Sequence, residues 1–153
     1  MSKQTLVMKF GGTSVGSSAA LSQAVQIIRD AQGQFPHVVV VTSAMSGVTD
    51  LLLQSATLAA QGNLGPLPGA ETVLRQKHFS AIDELVQNVR LCEETKGQID
   101  ALILSFVDLC KAIAVLGEAS PRALDAVASL GERMSVRLLT AVAQEEGVRA
   151  IAV

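Results

Sequence analysis

The sequence predicts an α/β fold built on parallel strands. Residues 6–10 and 38–41 are short apolar runs, and the second (VVVV) is typical of a strand that is covered on both faces. Between them, Leu21, Ala24, Val25, Ile28 and Ala31 recur at helical spacing, and Gly33 ends the pattern. Strand, helix and strand in close succession form a right-handed βαβ unit, whose two strands are parallel.

The segment after the first strand combines the parts that a phosphate site needs. Lys9 supplies a positive charge at the strand's end, and Gly11 and Gly12 let backbone N–H groups approach an oxyanion. Thr13 and Ser14 lead into the helix, whose start adds unpaired N–H donors. The same residues also suit an ordinary turn in which Thr13 or Ser14 caps the helix. These residues alone leave both interpretations open.

Two well-known nucleotide motifs are absent from this region. Gly11 and Gly16 have the spacing of a P-loop, but Ser17 occupies the position of its lysine. No Gly-x-Gly-x-x-Gly occurs in the chain, so the dinucleotide-binding fingerprint is also missing. A bound phosphate would therefore take its lysine from upstream of the glycines.

A hydroxyl-rich segment, residues 43–50 (SAMSGVTD), follows the second strand. Ligands of parallel sheets bind at the carboxyl ends of strands, so this segment and the paired glycines should face one crevice. Hydroxyl groups such as those of Ser43 and Thr49 can orient a carboxylate without neutralising it. The alternative is a simple loop in which Ser46 or Thr49 caps the next helix.

The middle of the chain predicts two long helices after a glycine- and proline-rich surface link at residues 62–69. The first has one apolar face, and the second is apolar on most sides, apart from a stripe of Asp100, Asp108 and Lys111. We expect a helical hairpin packed on the α/β core, with a contact to another chain or domain as the alternative. The apolar residues are Val73, Leu74, Ile82, Leu85, Val86 and Val89, then Ile99, Leu102, Ile103, Phe106, Val107, Leu109, Cys110, Ile113 and Leu116.

The last third of the chain predicts two helices and a strand. Ser120 and Pro121 form an N-cap and a first helical residue. Residues 129–135 (SLGERMS) follow this helix, and Gly147 ends the final one before a strand at residues 150–153. By itself, Glu132 is typical of a solvated glutamate that is favourable at a helix start.

Composition excludes several classes of function. The 153 residues suffice for one domain, 49% are apolar, and the net charge is −2 without a basic run, which argues against nucleic acid as a partner. His37 and His78 have no ligand-spaced neighbours, so we expect no metal site. Cys92 and Cys110 are isolated, and no secretory leader is evident at the N-terminus, which predicts a reduced, cytoplasmic protein.

A membrane span is also disfavoured. The most apolar stretch, residues 99–116, contains three charged side chains. Each would cost about 2.5–3.5 kcal/mol near the centre of a bilayer. A largely buried helix therefore fits this stretch better, and we expect no membrane partner.

Three segments of the chain together resemble the signatures of the aspartate kinases, within the amino-acid kinase superfamily. These are Lys-Phe-Gly-Gly-Thr-Ser at residues 9–14, Ser-Ala-x-x-Gly-x-Thr at residues 43–49 and Ser-x-Gly-Glu-x-x-Ser at residues 129–135. The resemblance implies a three-layer α/β/α fold with a largely parallel sheet. Residues 1–153 would form the first half of the catalytic domain, and residues 64–118 a helical insertion that some members carry.

The resemblance also implies an activity, namely transfer of the ATP γ-phosphoryl group to the β-carboxylate of L-aspartate to give 4-aspartyl phosphate. This step opens the synthesis of lysine, threonine and methionine. Lys9 would be catalytic, and Mg²⁺ would bind through the nucleotide phosphates. The implied ATP-phosphate contacts are Lys9, Phe10, Gly11, Gly12, Thr13 and Ser14. Ser43, Thr49 and Glu132 would hold aspartate, with Gly131 turning the backbone so that Glu132 points inward.

The extent of the chain sets further expectations. Half of the parallel sheet would be missing, which would leave an open edge and an uncovered apolar surface. We therefore expect residues 1–153 alone to lack kinase activity and to self-associate, and we expect a homo-oligomer.

Two alternatives to an aspartate kinase stay open. One is a sister kinase that acts on glutamate, acetylglutamate or a nucleoside monophosphate, and the other is a non-catalytic module that assembles through residues 99–116.

Overall fold

The computed structural model describes residues 4–153. Two strands, a short 3₁₀ turn and five helices follow one another along the chain. They are β1 (Thr5–Phe10), the 3₁₀ turn (Gly12–Val15), α1 (Ser18–Gln32), β2 (His37–Thr42), α2 (Val48–Ala60), α3 (Leu67–Leu85), α4 (Val89–Leu116) and α5 (Pro121–Glu145).

The predicted βαβ unit is confirmed. Strands β1 and β2 pair in parallel, with Thr5 opposite His37 and Phe10 opposite Thr42. Because the two strands are in register, their carboxyl ends meet at the same edge of the sheet. Residues 11–14, which follow β1, and residues 43–50, which follow β2, both start at this edge.

The sheet is covered on one face only in the described residues. Phe10 and Thr42 are buried on the helix-covered face. On the other face, Val7, Val39 and Val41 are 64%, 48% and 47% exposed. The expectation that the valine run is covered on both faces is therefore wrong for residues 4–153, whereas the expected uncovered apolar surface is present.

Helices α1 to α5 bury the core between them, and the largest fully buried side chains include Leu52, Ile103, Phe106, Met134 and Leu138. Helix α4 packs mainly on α5, α2 and α3. The predicted hairpin of two helices exists, but α4 buries one face and is not covered on most sides.

Several details of the predicted hairpin are wrong. Val73, Val89 and Leu116 are exposed rather than part of an apolar face. Helix α3 ends at Leu85, so Val89 does not belong to the first helix of the hairpin and instead starts α4. The preceding link is also shorter than predicted, since α3 begins at Leu67 with a proline in its first turn, where a missing N–H costs nothing.

The last third of the chain forms a single helix, not two. Ser120 caps it as predicted, accepting a hydrogen bond from the N–H of Ala123, and Gly147 follows its end with a φ of +78°. Gly131 lies inside α5 and makes no turn. The predicted strand at residues 150–153 is absent, because no strand among the described residues pairs with it. Gln144 Nε2 instead donates to the carbonyl of Ala150 (2.8 Å).

Both cysteines are unpaired thiols, Cys110 buried and Cys92 half-buried. Burial raises the pKa of the Cys110 thiol to about 11, so it stays protonated and unreactive at neutral pH. Within residues 4–153, no helix combines the length and the hydrophobicity that crossing a membrane requires.

His78 is fully buried on α3. Its ring Nδ1 lies 2.8 Å from the carbonyl oxygen of Leu74, which can only accept, so Nδ1 carries the proton. Ring atom Nε2 is buried without a partner among the described residues. A second proton would place an unsatisfied N–H and a charge in the core, and this burial lowers the pKa of His78 below its usual 6.5.

Stability should therefore fall as the pH drops below about 6.5. The unfolded chain accepts a proton at His78 that the folded chain resists, which lowers the unfolding free energy by at most about 1.4 kcal/mol per pH unit. Urea unfolding measured across this pH range checks the slope. His78→Gln should remove this contribution, whereas His37→Gln, at an exposed strand position, should keep it. Equal slopes in the parent chain and in His78→Gln would contradict the prediction.

Candidate functional site

The carboxyl ends of β1 and β2 bring the first two predicted segments together. The N–H of Ser43, immediately after β2, donates to the carbonyl of Phe10 at the end of β1 (3.0 Å). The Gly-Gly loop (residues 11–14) and the hydroxyl-rich segment (residues 43–50) therefore start side by side, as the parallel pairing predicts.

Lys9 stands opposite Val41 in the sheet and is exposed. Strand side chains alternate between faces, so the lysine lies on the opposite face from buried Phe10. Within residues 4–153, Lys9 forms no salt bridge with a carboxylate. Its charge is therefore available to an anion at the strand end.

Glycine at position 12 permits a close approach between the two segments. A Cβ added to Gly12 would lie 2.9 Å from the carbonyl oxygen of Ala44, closer than real Cβ contacts allow. The hydroxyl of Ser46 also donates to the carbonyl of Gly12 (3.1 Å). The Gly-Gly loop is thus fixed to the hydroxyl-rich segment by both packing and a hydrogen bond.

The third predicted segment reaches the same place through α5. A Cβ added to Gly131 would lie 2.8 Å from the Cβ of Ala44 and 3.3 Å from side-chain atoms of Leu52 and Val48. The glycine therefore serves close helix packing, which corrects the expectation that it turns the chain. Glu132 follows in the same helix and is half-buried.

Ala44 is consequently the point where all three segments meet. Its carbonyl oxygen contacts Gly12, and its methyl group contacts Gly131, more than 80 positions further along the chain. One residue of the hydroxyl-rich segment thus touches both the Gly-Gly loop and the third segment, whereas the joint action of their side chains on a ligand stays a prediction.

The polar side chains predicted for the site have no side-chain hydrogen bonds within residues 4–153. Ser43 and Thr49 are half-buried, and Thr13 and Ser14 are exposed. Neither alternative cap is used: Ser17 caps α1 by accepting from the N–H of Ala20, and α2 begins after Gly47 without a side-chain cap. The side chains without such bonds are Lys9, Thr13, Ser14, Ser43, Thr49 and Glu132.

Two clefts flank the fixed loops. One, of about 330 Å³, is lined by Phe10, Thr13 and Ser14 together with α1 residues that include Gln23. The other, of about 370 Å³, lies between the start of α2 and α3 and includes Lys77. Gln23 and Lys77 were not predicted, because a polar residue on a helix carries no local sign of what it faces. A third cleft, of about 650 Å³, lies between α4 and α5 and includes Arg133 of the third segment.

Neither histidine belongs to the two loops of this site: His37 is exposed on β2, and His78 is buried on α3. Within the described part of the chain, no three His, Cys, Asp or Glu side chains cluster in a way that could hold a metal ion. Side chains that could hold an anion are present, namely Lys9 and the hydroxyls of the two loops.

Comparison with known proteins identifies the family. The model of the amino acid kinase family matches residues 4–153. The chain is 31% identical to the aspartokinase of Schizosaccharomyces pombe, with 96% of this chain and 29% of that protein aligned. It is 33% identical to the aspartokinase of Saccharomyces cerevisiae, with 95% of this chain and 29% of that protein aligned.

Solved structures agree with the sequence comparison. The fold is similar to that of E. coli aspartokinase III in complex with aspartate and ADP, with a TM-score of 0.76 at 30% identity, over 97% of this chain and 30% of that one. The same enzyme in complex with lysine and aspartate gives a TM-score of 0.78. The chain therefore spans about 30% of the length of these relatives. Since the family model covers every described residue, the chain belongs to the amino acid kinase family.

Proposed function

We propose that this chain provides the phosphate loop and part of the aspartate pocket of an ATP-dependent aspartate kinase. The reaction transfers the γ-phosphoryl group of ATP to the β-carboxylate of L-aspartate and yields 4-aspartyl phosphate. The observation that carries the proposal is the meeting of three segments at Ala44, because phosphoryl transfer requires donor and acceptor sites to be held together.

The relatives support aspartate as the acceptor. The matched relatives from S. pombe and S. cerevisiae are aspartokinases, and the related E. coli structure contains aspartate and ADP. A sister kinase for glutamate, acetylglutamate or a nucleoside monophosphate would share the Gly-Gly loop, but these relatives do not point to it. Aspartate kinase is therefore the better supported member of the family.

On the nucleotide side, the Gly-Gly loop and Lys9 are the binding groups. The backbone N–H groups of Gly11 and Gly12 would cradle phosphate oxygens, and Thr13 and Ser14 would line the cleft beside them. The ammonium of Lys9 would stabilise the negative charge of the transferring group. Mg²⁺ bound through the nucleotide phosphates would neutralise part of the same charge, and we assign it no protein ligand.

On the acceptor side, the proposal uses three side chains that are free of competing hydrogen bonds within residues 4–153. The hydroxyls of Ser43 and Thr49 would orient a carboxylate of aspartate, and the carboxylate of Glu132 would pair with its ammonium group. The β-carboxylate is already nucleophilic when ionised, so the reaction needs no general base. These three residues would therefore act by positioning aspartate for the transfer.

The cellular setting is part of the same proposal. Two unpaired thiols are consistent with a reducing, cytoplasmic location. The product would enter the synthesis of lysine, threonine and methionine. The exposed apolar face of Val7, Val39 and Val41 supports self-association and hence a homo-oligomer. The role of residues 64–118 as an insertion in the family's catalytic domain also stays a prediction, although α3 and α4 fill this range.

Titration of the ¹⁵N-labelled chain tests the proposal directly. MgADP should shift the amide signals of residues 11–14, and L-aspartate should shift those of Ser43, Thr49 and Glu132. L-Glutamate is the matched control ligand, and it should leave the aspartate-responsive signals in place. No change at residues 11–14 with MgADP at about 10 mM, a concentration that detects even weak binding, would contradict the proposal.

A further inference from the structure

We propose that Ser46 is a positioning residue that holds the Gly-Gly loop in the orientation that accepts phosphate, an inference that rests on the proposed function. Ser46 lies in the hydroxyl-rich segment, but neither the aspartate contacts nor a helix cap uses its side chain. Its hydroxyl donates across 34 positions to the carbonyl oxygen of Gly12 (3.1 Å). This hydrogen bond directly joins the proposed acceptor segment to the proposed phosphate loop.

The bond to Gly12 adds to the 3₁₀ turn at Gly12–Val15 in fixing where the next N–H points. The carbonyl of Gly12 and the N–H of Thr13 belong to one planar peptide unit, and no cis peptide bond occurs in the described residues. In a trans peptide these two groups point in opposite directions. Holding the carbonyl towards Ser46 therefore directs the Thr13 N–H away from it. The 3₁₀ turn orients the same peptide, and the Ser46 bond adds a restraint against a rotation that would present a carbonyl oxygen to a phosphate and repel it.

Two glycines allow Ser46 and the loop to approach closely, although the hydrogen bond itself is exposed to solvent. A Cβ added to Gly16 would lie 2.7 Å from the Ser46 hydroxyl oxygen and 2.9 Å from the Gly12 carbonyl oxygen. A Cβ added to Gly12 would lie 2.9 Å from the Ala44 carbonyl oxygen. Both glycines are therefore needed for close approach, and together they leave room for the Ser46 side chain against the loop.

The local use of a serine at this position would be to cap α2. Helix α2 instead begins after Gly47, which has a φ of +78° and provides no side-chain cap. The Ser46 hydroxyl therefore does not cap the helix and instead donates to the Gly-Gly loop. A serine that served only the start of α2 would accept a hydrogen bond from that helix, whereas Ser46 donates to the loop.

The experiment compares Ser46→Ala, Ser46→Thr and a control, Ser105→Ala. Ser105 is an exposed serine on α4 whose hydroxyl, within residues 4–153, bonds only to the carbonyl of Ala101, one turn earlier. MgADP affinity is measured by NMR titration of the intact chain, and thermal unfolding is measured in parallel. Ser46→Ala should bind MgADP about three- to tenfold more weakly, the loss expected for one hydrogen bond. Ser46→Thr, which keeps the hydroxyl, should restore binding, and Ser105→Ala should match the parent.

A second readout separates this inference from the proposed function. In the ligand-free chain, loss of the Ser46 hydroxyl should broaden the Thr13 amide signal and speed its hydrogen exchange, because the 3₁₀ turn alone then holds the peptide. Should the parent fail to bind MgADP, the proposed function fails, but this signal still tests the restraint. An unchanged Thr13 signal in Ser46→Ala, or MgADP affinity within twofold of the parent, would overturn the positioning role.

Discussion

Gly131→Ala should destabilise the chain relative to Gly97→Ala by about 1–3 kcal/mol, although both replace a glycine inside a helix. Alanine is favoured over glycine in a helix interior by about 1 kcal/mol, and this gain applies at both positions. Gly97 is exposed on α4, with nothing within 4 Å of an added Cβ, so the gain should appear undiminished there. At Gly131 the added methyl group meets atoms that cannot move away easily.

The reason lies in which atom the new methyl group approaches. The Cβ of Ala44, at 2.8 Å, is attached directly to the backbone and cannot swing aside as the end of a long side chain could. Relief therefore requires α5 to move away from residue 44. Urea unfolding of the two variants and the parent measures the difference. Equal stabilisation by both substitutions would show that α5 does not pack on Ala44 as closely as the structure describes.

The same displacement should reach the site. Moving α5 from Ala44 separates Glu132 from the hydroxyl-rich segment, whereas Gly97→Ala leaves that packing alone. We therefore expect Gly131→Ala to weaken the NMR response to L-aspartate and Gly97→Ala to preserve it. A variant that is destabilised but binds aspartate normally would separate the packing role of Gly131 from the proposed pocket.

Local patterns in the sequence predicted much of this architecture. The strands and α1 follow from short apolar runs and helical periodicity, and Ser120 caps α5 because the cap motif needs only neighbouring residues. Parallel pairing then places the two strand ends together without further information. These features were predictable because the atoms that determine them lie close together in the chain.

Features decided by distant contacts were not predictable in this way. A glycine weakens a helix by about 1 kcal/mol, so a break at Gly131 was a reasonable expectation, but burial of Leu130 and Met134 on either side keeps α5 continuous. The four consecutive valines of β2 are compatible with a strand that is covered on one face and with a strand that is covered on both. Likewise, nothing near Ser46 in the sequence indicates that its hydroxyl bonds to Gly12 rather than to the start of α2.

Lys9→Met should lower the affinity of the chain for MgATP by about 10- to 100-fold. Lys9 supplies the positive charge at the end of β1, and it forms no salt bridge within residues 4–153 that would compete for a phosphate. A hydrogen bond to a charged group contributes about 1.5–3 kcal/mol, which corresponds to this change in affinity. Methionine keeps the length and the apolar stem of the side chain, so the sheet should remain intact.

Lys111→Met is the matched control for this measurement. Lys111 is an exposed lysine on α4, with only a loose pairing to Asp108 (3.9 Å), so its loss changes the net charge equally but at a remote place. NMR titration with MgATP at low and high salt distinguishes a general charge effect from a specific contact, because salt screens remote charges more strongly than contacting ones. Equal weakening by the two substitutions would mean that Lys9 acts only through overall charge. A tenfold or larger loss confined to Lys9→Met, with residues 11–14 no longer responding, would place the phosphate at the end of β1.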